Sequence, residues 1–387
     1  MTRVDGAWRR TPATQAVCAA IARDGAQTLF VGGCVRNALL ETAVSDIDIA
    51  TDATPQQVIA LAGAAGIKAV PTGIAHGTVT LVAEGIPHEV TTFRRDVETD
   101  GRRAVVAFSK RVEEDAARRD FTMNALYARP DGTLVDPLGG LADLRARHVR
   151  FIGSAEDRIR EDYLRSLRFF RFHAWYGDAA NGMDADAIAA IAANLDGLER
   201  LSRERVGAET LKLLAAPDPA PAVAGLRSTG ALARLLPGAD DTALGPLVHL
   251  EAQAGVAPDP LRRLAVLGGD LAESLRLSRA QAARLERLRE AIGDVAQAGE
   301  LGYRLGVEEA REVLLLRHAL MGAPWEADAM ALAEAGAQAR FPVKARDLMP
   351  GLEGAALGRR LAELESRWIA SGFRLGRDDL LGGSAQG

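Results

Sequence analysis

The stretch that most limits what this chain can become runs from Leu29 to Thr51 and reads LFVGGCVRNALLETAVSDIDIAT. Thr28 to Val31 reads as a short buried strand. Gly32-Gly33 follows, a place where the backbone adopts conformations that side chains resist. Val35 to Leu40 reads as the start of a helix, whose N-terminal amides and Arg36 would suit an anion. Ser45-Asp46-Ile47-Asp48-Ile49 then alternates carboxylates with isoleucines. This is a strand pattern, and residues two apart on a strand share a face. Two carboxylates on one face repel each other unless a cation lies between them. Oxygen donors of this kind suit Mg²⁺, which takes one or two carboxylates together with substrate phosphates. The pattern points to metal-dependent phosphoryl or nucleotidyl transfer.

With 387 residues the chain has room for two or three domains. No apolar run approaches the roughly 20 residues that span a bilayer, and MTRVDGAWRR lacks the apolar centre of a secretory signal. Cys18 and Cys34 form no metal-knuckle or disulfide pattern, so a cytoplasmic location is expected. The net charge of −5 gives no general attraction to nucleic acid, and local placement decides the matter.

Downstream, residues 11–24 predict a helix with Thr11 as cap and Pro12 in its first turn. Thr54 and Gln57 predict a capping box on a helix reaching about Ala65. Gly77–Ala83 and Ile86–Phe93 predict a β-hairpin, with Glu89 either a third acidic group near the metal or a solvated strand carboxylate. Arg94–Lys110 is charged and poorly periodic and reads as a mobile loop. Arg118 to Ala125 groups Arg119, Asp120 and Asn124 in a way that suits a ribose and a triphosphate. Leu141–Ala146 predicts a short helix, and from about Ala155 the period is helical. Glu161–Trp175 reads as one strong helix, on which Asp162 and Arg165, three apart, share a face. In isolation that pair reads as a surface ion pair. Later helices are expected at Arg203–Ala215, after a cap at Ser278, and along a face marked by Leu357, Leu361, Leu364 and Trp368; Gly382–Gly387 should be disordered.

Taken in order, VGGCVRNALL, SDIDIAT, HEVTTFR, DGRR, RRDFTMNALY, DPLGGLADL and EDYLRSLRFFRF, with a weaker LSRERVGAETLKLL, resemble the bacterial class II tRNA nucleotidyltransferase and poly(A) polymerase family within the DNA polymerase β-like superfamily. The resemblance covers about Leu29 to Leu214. It implies an α+β fold: a polymerase β-like head with a small mixed sheet at 1–150, an all-α neck at 151–215 that reads the base, and a helical body and tail at 216–387 that bind tRNA. It implies that Asp46 and Asp48 are catalytic and hold Mg²⁺, one ion activating the RNA 3′-hydroxyl and another steadying the triphosphate. Gly32, Gly33 and Arg36 would contact phosphate, as would Arg119, Asp120 and Asn124 with the ribose. Asp162, Arg165 and Arg168 would select the base.

The implied activity is template-independent addition of CCA to tRNA 3′ ends from CTP and ATP, with no membrane and no obligate protein partner. The alternatives are a poly(A) polymerase, a partial CC- or A-adding enzyme, and a non-catalytic RNA-binding protein on the same scaffold. Two departures stand out. Asn37 takes the place of the family's usual Asp, and Glu41 stands where Gly is common.

Overall fold

Capping and burial set the first elements. After α1 (Ala7–Arg10), α2 (Pro12–Ala22) starts on Thr11, whose hydroxyl accepts from the Thr14 amide at 3.1 Å. β1 (Thr28–Val31) is buried along its whole length, α3 (Gly33–Leu39) leaves it at Gly32, and β2 (Asp48–Thr51) returns antiparallel beside it. α4 (Pro55–Ala64) carries the capping box between Thr54 and Gln57. The computed structural model describes residues 2–100 and 103–382, with 96–100 and 103–106 described by backbone alone.

β3 (Lys68–Gly73), β4 (Thr78–Ala83) and β5 (Ile86–Thr92) extend the sheet, and β6 (Arg94–Asp100) and β7 (Arg103–Phe108) pair separately. β8 (Tyr127–Ala128) and β9 (Leu134–Val135) complete a seven-stranded sheet ordered β3-β4-β5-β2-β1-β8-β9. Among its paired strands only β2 and β5 run parallel, which makes the sheet mixed. Glu84 and Gly85 both take positive φ at the β4–β5 turn, matching the twist of a tight hairpin. On β2, Ile49 packs to one side while Ala50 joins Leu29, Val31, Phe93, Tyr127 and Ile152 on the other. Asp48 sits at the end of that second face.

Three expectations need correction. The strand begins at Asp48, so Asp46 lies just before it, although the Ile47 carbonyl already accepts from the Glu89 amide at 3.1 Å. The supposed loop Arg94–Lys110 is mostly a hairpin, paired from Arg94↔Phe108 to Asp100↔Arg103. Its Asp-Gly turn and Val105-Val106 were strand signals outweighed by charge. Gly101, Arg102 and residues 383–387 lie outside the described residues. The helix expected over Glu161–Trp175 is broken. α5 (Val112–Ala117) and α6 (Gly140–Arg145) are followed by α7 (Ala155–Glu161), an extended Asp162, and then α8 (Leu164–Tyr176). β3 was not anticipated; Pro71 within it suits an edge strand.

α9 (Ala185–Ala193), α10 (Arg203–Leu214), α11 (Ala220–Ser228) and α12 (Ala231–Leu235) complete a first compact unit, Met1–Pro237. Phe121 and Phe151 pack with Phe169 and Phe172 of α8, which ties that helix to the sheet side of the unit. The second unit, Gly238–Gly387, is helical throughout its described residues. There Glu251 is buried and takes two guanidinium groups, Arg262 Nε at 2.8 Å and Arg263 Nε at 2.9 Å. Leu364 and Trp368 are buried on the helix Gly354–Ala370 as the pattern predicted. Among the described residues no helix is long and apolar enough to cross a membrane.

Candidate active site

The carboxylates come together because β2 and β5 are in parallel register, Asp48 opposite Glu89. Burial, then the charges of Glu89 and Asp46, push the Asp48 carboxyl up to about 6 against the pull of Arg119 and Arg36. Asp46 is exposed and accepts from Ser45 Oγ at 2.8 Å, and Glu89 is exposed. Among the described residues no three His, Cys, Asp or Glu side chains form a ready metal cage. The donor set is an open group of oxygens with excess negative charge. That fits a hard cation whose shell is completed by substrate. Cys34 donates to the Val31 carbonyl at 3.3 Å, and burial pushes its thiol up to about 11, so it offers no thiolate ligand.

The turn at Gly32 has a φ of 70° and a ψ of −123°, which belong to glycine. A Cβ there would sit 3.7 Å from Arg119 Nη1. Arg119 is held in place by the buried Asp115 carboxylate at 2.9 Å and by the Tyr127 hydroxyl at 3.1 Å. Burial alone would raise Asp115, but Arg119, Arg118 and the Tyr127 hydroxyl outweigh it and hold the group at about 2. A fixed guanidinium thus lies beside the turn and acts by its charge on the Asp48 carboxylate.

Arg36 points elsewhere. It is buried, donates to Asn37 Oδ1 at 3.0 Å and to the Tyr176 hydroxyl at 2.8 Å, and stacks 4.0 Å from the Tyr176 ring centroid. It also donates to Asn124 Oδ1, and Asn124 donates to Asp120 Oδ1 at 2.9 Å. Asp120 Oδ2 accepts from Arg168 Nε at 3.0 Å and from its Nη2. Burial opposes ionisation of Asp120, yet Arg168 and Asn124 hold its carboxyl well below the usual range. Of the residues expected to touch nucleotide, Arg36, Asp120, Asn124 and Arg168 therefore form one chain from α3 to α8, buried up to a half-buried Arg168. Their donors and acceptors are spent largely on one another.

Asp162 and Arg165 do not pair with each other. Asp162 Oδ1 accepts from the Leu164 amide at 3.2 Å, and Oδ2 accepts from Arg205 of α10 at 2.6 Å. Arg165 pairs with Glu161 and donates to the Arg158 carbonyl at 3.1 Å. Because Asp162 is extended, the shared helix face expected of the two residues is absent. Arg205 was missed, although it lies in LSRERVGAETLKLL; nothing in its spacing shows which carboxylate it meets. Asp115 was missed too, and its separation of three and four from Arg118 and Arg119 was the available signal.

Residues 28–150 match the poly A polymerase head domain, and residues 182–242 match the probable RNA and SrmB-binding site of polymerase A. A mouse mitochondrial CCA tRNA nucleotidyltransferase 1 is 43% identical over 194 residues, 50% of this chain and 45% of that protein. A CCA-adding enzyme of Geobacillus thermodenitrificans is 43% identical over 218 residues, 56% of this chain and 52% of that protein. The chain thus spans about half the length of the curated relatives it matches. The crystal structure of the Bacillus stearothermophilus CCA-adding enzyme in complex with CTP superposes with a TM-score of 0.72 at 29% identity, covering 93% of this chain and 94% of that one. By these matches the chain carries a poly A polymerase head domain and the RNA-binding region that follows it, and over its N-terminal half it is similar to CCA-adding enzymes.

Proposed function

We propose that the protein adds CCA to tRNA 3′ ends without a nucleic-acid template, using CTP and ATP and releasing pyrophosphate. The observation that carries this is the 43% identity to a protein named CCA-adding enzyme, joined to a head domain that contains Asp46, Asp48 and Arg119. In this reading residues 1–150 are the catalytic head, 151–215 the neck, and 216–387 the tRNA-binding body and tail. Nucleotidyltransferases of this kind use divalent metal, and Asp46 and Asp48, with Glu89 beside them, would hold Mg²⁺. When bound, the ion supplies positive charge for the attacking hydroxyl and the triphosphate.

The Gly32-Gly33 turn leaves room for phosphate, and Arg119 faces it as a fixed charge. Asp162 accepts from the exocyclic amine that both C and A carry, while Arg165 donates to a ring nitrogen or carbonyl. Each Asp162 oxygen keeps a second lone pair for this beside its present partner. The Arg36–Asn124–Asp120–Arg168 chain holds the neck helix against the head.

The test supplies a tRNA ending before CCA with labelled CTP and ATP and sequences the product ends, alongside Asp46→Ala. Addition of CCA by the parent and not by the variant supports the reading. Long A tails on unrelated RNA, or incorporation unaffected by Asp46→Ala, overturn it.

A further inference from the structure

Asn37, the residue that departs from the family pattern, is a connector between two parts of the site. Its Oδ1 accepts from Arg36 Nε at 3.2 Å and Nη2 at 3.0 Å, and its Nδ2 donates to the Ala43 carbonyl at 2.9 Å. Its own carbonyl accepts from the Thr42 amide at 2.9 Å and from the Thr42 hydroxyl at 3.3 Å. The turn from Leu40 to Ser45, which includes Glu41 with φ of 55°, is thereby fastened at both main chain and side chain to one residue of α3. That turn leads directly into Asp46, which lies outside the β-ladder that fixes Asp48. On the other side, Arg36 is anchored to Asn124 and Tyr176.

We propose that Asn37 is a positioning residue: its amide locks the turn carrying Asp46 to the buried Arg36 network and so sets the spacing of the Asp46–Asp48 pair. This rests on the reading of that pair as the divalent-metal site. The chemistry requires an amide. One edge must accept from a guanidinium and the other must donate to a carbonyl, and a carboxylate can do only the first. In Asn37→Asp the Arg36 bond is kept and the Ala43 oxygen faces another oxygen, so the substitution isolates the donor. Asn37→Leu removes both bonds at similar size.

The experiment measures Mn²⁺ binding to the full chain by the loss of free-ion EPR signal, without nucleotide, for the parent, Asn37→Asp, Asn37→Leu and Asp46→Ala. Steady-state CTP incorporation against Mg²⁺ concentration is measured in parallel. The expected result is Mn²⁺ affinity about fivefold weaker in both Asn37 variants, with a matching rise in half-saturating Mg²⁺ and KM for the tRNA primer unchanged. Parent-like Mn²⁺ binding by a folded Asn37→Asp overturns the proposal while leaving the metal reading intact. Equal binding by the parent and Asp46→Ala overturns that reading as well. If either Asn37 variant fails to fold, Asn37→Ser, with one donor and one acceptor on a shorter arm, replaces it. Weakened binding in Asn37→Ser supports the proposal, and parent-like binding overturns it. A purely structural role would lower the melting temperature without moving the Mg²⁺ dependence, and that result also overturns it.

Discussion

Replacing Arg168 by methionine takes the guanidinium away from the Asp120 carboxylate and leaves an unbranched side chain in its place. Asp120 Oδ1 keeps the Phe121 amide at 2.8 Å and Asn124 at 2.9 Å, whereas Oδ2 loses both contacts from Arg168. Removing one partner of a buried ion pair costs about 3–5 kcal/mol. The two retained bonds place this case near the lower end, about 3 kcal/mol. In a unit of this size that corresponds to a fall of about 6–12 °C in melting temperature. Asp120→Asn costs less, about 1 kcal/mol, because the Arg168 side chain, 31% exposed, can be hydrated when its partner is gone.

The pH dependence has a defined sign. In the parent, Asp120 lies below its unfolded value, so its stabilisation is present above about pH 4 and fades as pH falls. In Arg168→Met, burial is no longer opposed by Arg168 and the carboxyl rises above its unfolded value. Stability in the variant is then greatest at low pH and falls as pH rises. The measurement is thermal denaturation by circular dichroism at pH 5 and pH 7. The variant's deficit should be larger at pH 7. An equal deficit at both pH values, or a smaller loss than Asp120→Asn shows at pH 7, refutes the argument.

Three further outcomes are expected. Asp48, raised to about 6, makes the metal-free protein lose stability as pH climbs from about 4 through 6, because the folded state holds the proton more tightly than the unfolded chain. The loss is about 1–3 kcal/mol, is absent in Asp48→Asn, and is reversed by Mg²⁺ above pH 6 in the parent, all readable in melts across that range. Arg205→Met frees Asp162 Oδ2, and the ratio of CTP to UTP incorporation should fall at least about tenfold, equivalent to about 1.4 kcal/mol of discrimination. Glu251→Ala leaves Arg262 and Arg263 buried without their shared counter-charge and should destabilise the second unit by about 3–5 kcal/mol, seen in urea unfolding.

Local chemistry was legible in the chain, and long-range pairing was not. Thr11 and Thr54 announced their helices because a cap is decided within four residues. The β4–β5 hairpin announced itself by alternation and by Glu84-Gly85. The Asp46/Asp48 pair was visible as a carboxylate pattern, but its pairing with Glu89 depends on a parallel register between strands some forty residues apart, which no local pattern encodes. Arg36 looked like an outward phosphate ligand because its turn is anion-friendly. Tyr176 and Asn124, distant in sequence, turn it inward. The break at Asp162 was hidden because Glu161–Trp175 keeps a helical period across it, and only the Arg205 contact reveals what that residue meets.

The parallel join of β2 and β5 also bears on how this protein fails. β2 is flanked by a partner on each edge, and side chains alternate along it. A slip of one residue would turn Asp48 from its face while driving Ile49 into the packed space that the small Ala50 occupies on the other side. Misassembly is therefore coupled to loss of the fold itself. A population of such molecules should divide into competent copies and unfolded copies that proteolysis can clear, with few intact but error-prone ones between them.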